Sequence, residues 1–220
     1  SLGAGLEVKS AEECLKIEPA LRASRVPIAG GVYAREDESG DAHEFTVELA
    51  RLCAAQGVAF RFGAAIEGIE SEGDRVSRLR LSQKEFLDAD NYIIALGSFS
   101  PLLLAPLGIR IPVYPLKGYS ITLPLDPAEQ AVAPAVSLTD EACKIVISRL
   151  GSRLRAAGTA ELAGYDTAVN AVRCKAIARR IRELFPRLPD ASEATYWAGL
   201  RPATPSNVPV IGRTRLINLF

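Results

Sequence analysis

Apolar residues recur along this chain with two periods, and the period changes partway. The stretch ESGDAHEFTVELARLCAAQG places Phe45, Leu49, Leu52 and Cys53 at helical spacing. Asp41 stands where a helix cap belongs, and Gly57 stands where the helix must stop. A short helix is predicted over AEECLKI (11–17), ended by Pro19, and a strand over GGVYARED (30–37). VAFRFGA (58–64) reads as a strand directly after the helix. Two alternating runs, Ile66/Ile69 and Val76/Leu79/Leu81, flank Gly73-Asp74 and predict a hairpin. NYIIALG (91–97) is continuously apolar, the pattern of a strand buried on both faces.

After Gly108 the pattern becomes β-rich and is punctuated by Pro, Gly and Asp. IPVYPLKGYSITLPL, AVSLTDEACKIVISRL and GSRLRAAGTAEL read as strands, with Gly151-Ser152 turning the last two into antiparallel partners. One long helix is predicted over 170–188, with an apolar stripe of Val172, Ile177, Ile181 and Leu184/Phe185 and a stop at Pro186. The strand ATYWAGLRP follows. The pattern is α+β in two styles: a partial α/β section over about 30–105, then an antiparallel sheet with one covering helix over about 110–198.

Composition narrows the function without naming it. The 220 residues can bury a sizeable core. Lys+Arg 26 equals Asp+Glu 26, which excludes the basic excess of a general nucleic-acid binder. Cys14, Cys53, Cys143 and Cys174 form no CxxC and read as thiols of a reducing compartment. The uncharged run 91–109 approaches membrane length, but Gly97, Ser98, Ser100, Pro101 and Pro106 break it into strand, turn and short helix. Methionine is absent, so the chain is expected to be a fragment of a longer protein.

The chemistry is sparse. His43, the sole histidine, reads as a first-turn surface imidazole, and no metal site is expected. GxSxG, HExxH, P-loop and GxGxxG motifs are all absent. Arg201, in WAGLRPATP, is the candidate that stands out. Apolar residues surround it, Pro202 fixes the backbone after it, Gly199 permits close approach before it, and Trp197 offers a rigid wall. A guanidinium so placed either makes a structural ion pair or holds a carboxylate in two bonds, and the residues alone leave both open.

Three stretches in this order change the weighting: EDESGDAHEFTVELARLCAAQGVAFRFGAAIEGI, NYIIALGSFSPLLL with IPVYPLKGYSITLPL, and YWAGLRPATPSNVPVIGRT. Over about residues 26–220 the chain resembles the FAD-dependent D-amino-acid oxidase and glycine oxidase superfamily, nearest its bacterial D-amino-acid dehydrogenase branch. Members begin with a GxGxxG dinucleotide fold and end with a glycine-rich flavin segment. The resemblance therefore implies an interior piece: 1–108 as part of the FAD-binding domain, 109–198 as the substrate domain, and 199–220 as a return strand.

It also implies roles. Arg201 matches the arginine that pairs with the substrate carboxylate, and Tyr119 and Trp197 fall at the substrate side. Ile66, Ala95 and Gly97 match positions passing close to FAD. SNVP at 206–209 departs from the DG or DGxP common in relatives, and Asn207 can serve the same turn. The implied reaction is oxidation of a D-amino acid such as D-alanine by hydride transfer to flavin. The imino product hydrolyses to a 2-oxo acid and ammonia, and electrons pass to a quinone-type acceptor. A cytoplasmic location follows, with peripheral attachment of the whole protein at the inner face of the cell membrane. The competing expectations are an oxygen-using glycine or sarcosine oxidase and, for the piece alone, an inactive substrate-domain module.

Overall fold

A computed structural model of the chain describes residues 5–188 and 190–220. Among the described residues ten strands and five α-helices follow one another. In order they are β1 (Leu6–Ser10), α1 (Ala11–Ile17), β2 (Gly30–Ala34), α2 (Ala42–Ala55), β3 (Ile66–Glu72), β4 (Arg75–Leu81), β5 (Phe86–Leu87) and α3 (Ser100–Leu104). Then come β6 (Tyr114–Pro124), α4 (Pro127–Gln130), β7 (Leu138–Asp140), β8 (Ile145–Leu150), β9 (Arg153–Glu161), α5 (Ala171–Leu184) and β10 (Thr195–Ala203). The sheets have orders β1-β2, β3-β4-β5 and β10-β6-β9-β8-β7. The fold is mixed α/β with antiparallel sheets.

Two compact units share the chain. The first holds the described residues up to Leu49, Gly118–Glu161 and the described part of Thr167–Gly199. The second holds Ala50–Lys117, Leu162–Asp166 and Leu200–Phe220.

In the first unit, local chemistry sets the helix ends. The Ser10 hydroxyl and the Glu13 carboxylate close a capping box on α1. Asp41 caps α2, its Oδ1 accepting from the His43 and Glu44 amides at 3.0 and 3.3 Å. β8 and β9 turn at Gly151, whose φ of +60° suits glycine, and pair from Leu150–Arg153 to Ile145–Gly158. Alternate residues Tyr119, Ile121 and Leu123 of β6, Ile145 and Ile147 of β8, and Leu154 and Ala156 of β9 share one core with α5. Each large apolar side chain buried there contributes roughly 1.5–3 kcal/mol. The α5 face is Cys174, Ile177, Ala178, Ile181 and Leu184. Val172 is 77% exposed, so the stripe expected from the sequence is shifted: Cys174, two residues on, takes the inward phase. Glu18, also buried, satisfies three amides: Ala20 at 3.0 Å, Ala135 at 2.6 Å and Val136 at 3.0 Å.

In the second unit the β3–β4 hairpin forms around Gly73-Asp74 as expected. Two apolar runs do not become strands. Residues 58–64 carry no strand hydrogen bonds. Phe60 and Phe62 stack on each other at 5.5 Å and remain exposed. Residues 91–97 form only a parallel bridge, Tyr92 to Leu219, and Ile93 is 77% exposed. An apolar run states what can be buried, and a strand also needs a neighbour along its edge. The bonds that exist run from the Tyr92 amide to Asn218 O, from Ile94 to Phe220 O, and from Phe220 to Tyr92 O. They seat this run beside the last residues, over a core of Val76, Tyr92, Leu104, Leu216 and Leu219. Gly97–Phe99 then makes a 3-10 turn into α3. Among the described residues no helix is long and apolar enough to cross a membrane.

Candidate functional site

The second unit contains an open cavity of about 1100 Å³. Ala95, Gly97 and Arg201 all line it, so three of the six residues singled out from sequence come together.

The backbone around Arg201 is held on both sides. Buried Ser98 donates its hydroxyl to the Leu200 carbonyl at 3.4 Å. Gly97 lies against the Pro202 ring, where an added Cβ would sit 3.6 Å from Cγ, and its φ of +54° is one that side chains resist. The 97–99 turn thus braces the chain immediately before and after the arginine. Beyond it, Thr204 and Asn207 close a turn with a 3.1 Å backbone bond, and Asn207 takes the left-handed conformation, φ +59°. The Thr204 hydroxyl donates to Val208 O at 2.9 Å.

Arg201 is exposed, and among the described residues its guanidinium has no hydrogen bond or ion pair. The other charged residues lining the cavity are Arg110 and Arg213, and no aspartate or glutamate joins them. Most of the remaining wall is apolar, including Ile94, Leu104, Ile111 and Val210. The cavity is open and its three arginines are exposed, so its charge bias is positive and solvated.

Sequence reasoning passed over Arg110 and Arg213. The cue that picked out Arg201, an arginine bordered by apolar residues and glycine, is present in GIRIP and in VIGRT.

The other three residues lie elsewhere. Ile66 opens β3 in the second unit, outside the cavity lining. Tyr119 and Trp197 belong to the first unit. The Tyr119 ring is buried, its hydroxyl donates to the Glu161 carboxylate, and Arg173 also reaches Glu161 at 3.4 Å. Trp197 is half exposed. Its ring lies over Gly199, and the Arg155 guanidinium sits 5.5 Å from the ring centre. Among the described residues no group of three or more His, Cys, Asp or Glu could hold a metal ion.

A flat heteroaromatic cofactor carrying phosphates needs apolar walls, small residues that admit its edge, and cationic donors. Ala95, Gly97 and Gly212 supply the second, and Arg110 and Arg213 the third. The donor set fits FAD.

The family model for DAO, FAD dependent oxidoreductase, matches residues 1–220, and the chain belongs to that family. Within it, the chain is 54% identical over 213 residues to a D-amino acid dehydrogenase of Dechloromonas aromatica (strain RCB), covering 95% of this chain and 50% of that protein. It is 47% identical over 219 residues to a D-amino acid dehydrogenase of Granulibacter bethesdensis, covering 100% of this chain and 52% of that protein. The chain thus spans about half the length of these relatives. Its fold is that of glycine oxidase from Geobacillus kaustophilus, with TM-score 0.83, 24% identity, and coverage of 100% of this chain and 57% of that one. L-proline dehydrogenase from P. horikoshii gives TM-score 0.80 at 18% identity, covering 99% and 58%.

Proposed function

We propose that this chain is part of an FAD-dependent enzyme that oxidatively deaminates D-amino acids to 2-oxo acids and ammonia, passing electrons to a quinone-type acceptor. The observation that carries the reading is Arg201: a guanidinium without a protein counter-ion, braced by Ser98 and Gly97 in an acid-free cavity. Its planar fork matches a substrate carboxylate in two parallel bonds. The small residues Ala95 and Gly97 hold the flavin side of the cavity, and Ile66 contributes backbone beyond it. FAD supplies two-electron acceptance when bound.

The protein's own part is to fix the carboxylate at Arg201, which orients the rest of the amino acid. The apolar wall gives the rest of the substrate a surface to lie against. The substrate's amine gives up its proton before the carbon–hydrogen bond breaks, so no strong enzymic base is needed. This agrees with a cavity lined by no Asp, Glu or His. Tyr119 and Trp197, with the first unit's sheet, form the substrate domain. Residues up to 108 belong to the FAD-binding domain, and 199–220 return to it. The whole protein sits at the cytoplasmic face of the cell membrane, where the acceptor is found.

The test is the visible spectrum of the whole FAD-loaded protein before and after D-alanine under anaerobic conditions. Bleaching of the flavin band and turnover with a dye, without oxygen consumption, are expected. Arg201→Ala should raise KM for the D-amino acid by about 100-fold or more while leaving flavin content intact. A band that glycine or sarcosine bleaches and D-alanine does not would overturn the substrate assignment. An unchanged KM in Arg201→Ala would overturn the role of Arg201.

A further inference from the structure

We infer that the helix-free face of the first unit's sheet binds a carboxylate carried on an apolar tail, with Arg155 as its receptor and Trp197 as its wall. The inference goes beyond the reading of Arg201 and does not rest on it.

Alternation along the strands defines the face. Tyr119 and Ile121 of β6, Leu154 and Ala156 of β9, and Tyr196 and Ala198 of β10 pack into the core shared with α5. Their neighbours Gly118, Ser120, Arg155, Trp197 and Gly199 therefore stand on the other side. β6 runs between β10 and β9. The Arg155 guanidinium, 5.5 Å from the centre of the Trp197 ring, thus reaches across the central strand. The ring rests on Gly199 and leaves half of its surface open.

Arg155 is half-buried, and among the described residues it makes no hydrogen bond or ion pair. Its neighbours on this face are Arg153 and Ala157 along β9 and Ser148 directly opposite on β8, none of them acidic. Arg153 already has Asp41 as its partner, and the Ser148 hydroxyl is paired with Ser137 at 2.6 Å. The contact with the ring orients the guanidinium but satisfies its donors less well than a carboxylate would. On the strand between the two, Ser120 is 1% exposed, and its hydroxyl has no partner among the described residues. Buried hydroxyls are seldom left so. Gly118 stands on the same side of β6 with open space before it: an added Cβ would meet nothing within 4 Å. Two polar groups without partners, an open ring and a gap define the ligand. It is an anion that takes two parallel bonds from the fork, accepts from a hydroxyl, and carries a tail that lies along the indole. In an enzyme of amino acids, such a carboxylate arrives as the amino acid or as its 2-oxo acid.

Trp197 is the only tryptophan, so the site carries its own reporter. Emission of the 220-residue chain, titrated at one ionic strength with isovalerate, isovaleramide and acetate, tests the inference. Isovalerate should saturate the change at least about tenfold tighter than the uncharged amide or the tailless acetate. Arg155→Gln should bring isovalerate to the level of the amide. Arg155→Lys, which keeps the charge and loses the fork, should retain part of the preference. Gly118→Val, which fills the gap, should weaken isovalerate. Competition by D-valine assigns the ligand to the amino acid, and competition by 2-oxoisovalerate assigns it to the product. Equal affinity for the three ligands, or a preference that survives Arg155→Gln, would overturn the inference. So would a preference lost in Arg201→Ala, which would place the carboxylate at that arginine instead.

Discussion

Asn218 serves Val76 as a neighbouring strand would: its Oδ1 accepts from the Val76 amide at 2.8 Å and its Nδ2 donates to the Val76 carbonyl at 3.1 Å. The same Nδ2 reaches Asp90 O at 3.3 Å, and the side chain is buried. Asn218→Ala would leave a buried amide and carbonyl without partners. The expected loss is on the order of 2–4 kcal/mol in the second unit, read by denaturant unfolding. Asn218→Asp should also destabilise, because a carboxylate cannot donate to either carbonyl. Either variant matching the parent would show that water replaces the amide without cost.

Arg180 and Asp140 form an ion pair with both side chains largely buried, Nε to Oδ2, with Glu183 3.1 Å from the same guanidinium. Burial alone would push the Asp140 carboxyl up, but the hydrogen bond and charge of Arg180 outweigh it and hold the group below its ordinary value of 3.8. A depressed carboxyl stabilises the fold above its unfolded pKa, and that contribution is lost as pH falls through the folded pKa. Asp140→Asn should therefore cost on the order of 2 kcal/mol at neutral pH. The parent and variant curves should begin to converge below about pH 3.8 and meet only below the lowered folded value. Parallel curves at all pH values would exclude the pair as the source.

Cys174 packs against the sheet with no measurable exposure, and burial pushes its thiol pKa up. Cys143 is exposed. A thiol-specific reagent should modify Cys143 first and Cys174 only upon unfolding, at a rate that follows denaturant. Mass spectrometry of the labelled peptides distinguishes the order.

Gly199 has no room for a side chain while Trp197 keeps its place, since an added Cβ would come within 2.0 Å of the indole ring. Trp197 is the only tryptophan, so Gly199→Ala has a direct readout in emission. The ring should swing away from Arg155, with a shift in wavelength and a change in quenching by iodide. An identical spectrum would place the accommodation in the backbone.

The features legible in the sequence are those fixed by near neighbours. Asp41 caps α2, and Gly73-Asp74 and Gly151-Ser152 turn their hairpins, all within a few residues of what they control. The runs at 58–64 and 91–97 show the opposite. Their apolar character is real, but strand formation depends on distant partners, and the bridge to Leu219 spans more than half the chain. Val172 and Cys174 differ by helical phase, which pattern alone leaves loose when a cysteine counts as weakly apolar. At the site, Arg201 was visible because its apolar neighbours lie beside it. Arg110 and Arg213 carry the same cue, but only folding brings them into one cavity. Asn218 had no sequence signal, since its partners at Val76 and Asp90 lie far upstream.

Asp41 divides its two oxygens between two tasks: Oδ1 caps α2, and Oδ2 accepts from Arg153 Nη2 at 2.7 Å on the β8–β9 turn. In genetic terms the position is pleiotropic. A charge swap with Arg153 restores the ion pair and leaves the helix uncapped, whereas Asp41→Asn keeps the cap and abandons the ion pair. No second-site change at Arg153 can suppress the loss of both, so revertants of a disabled Asp41 should return to aspartate itself.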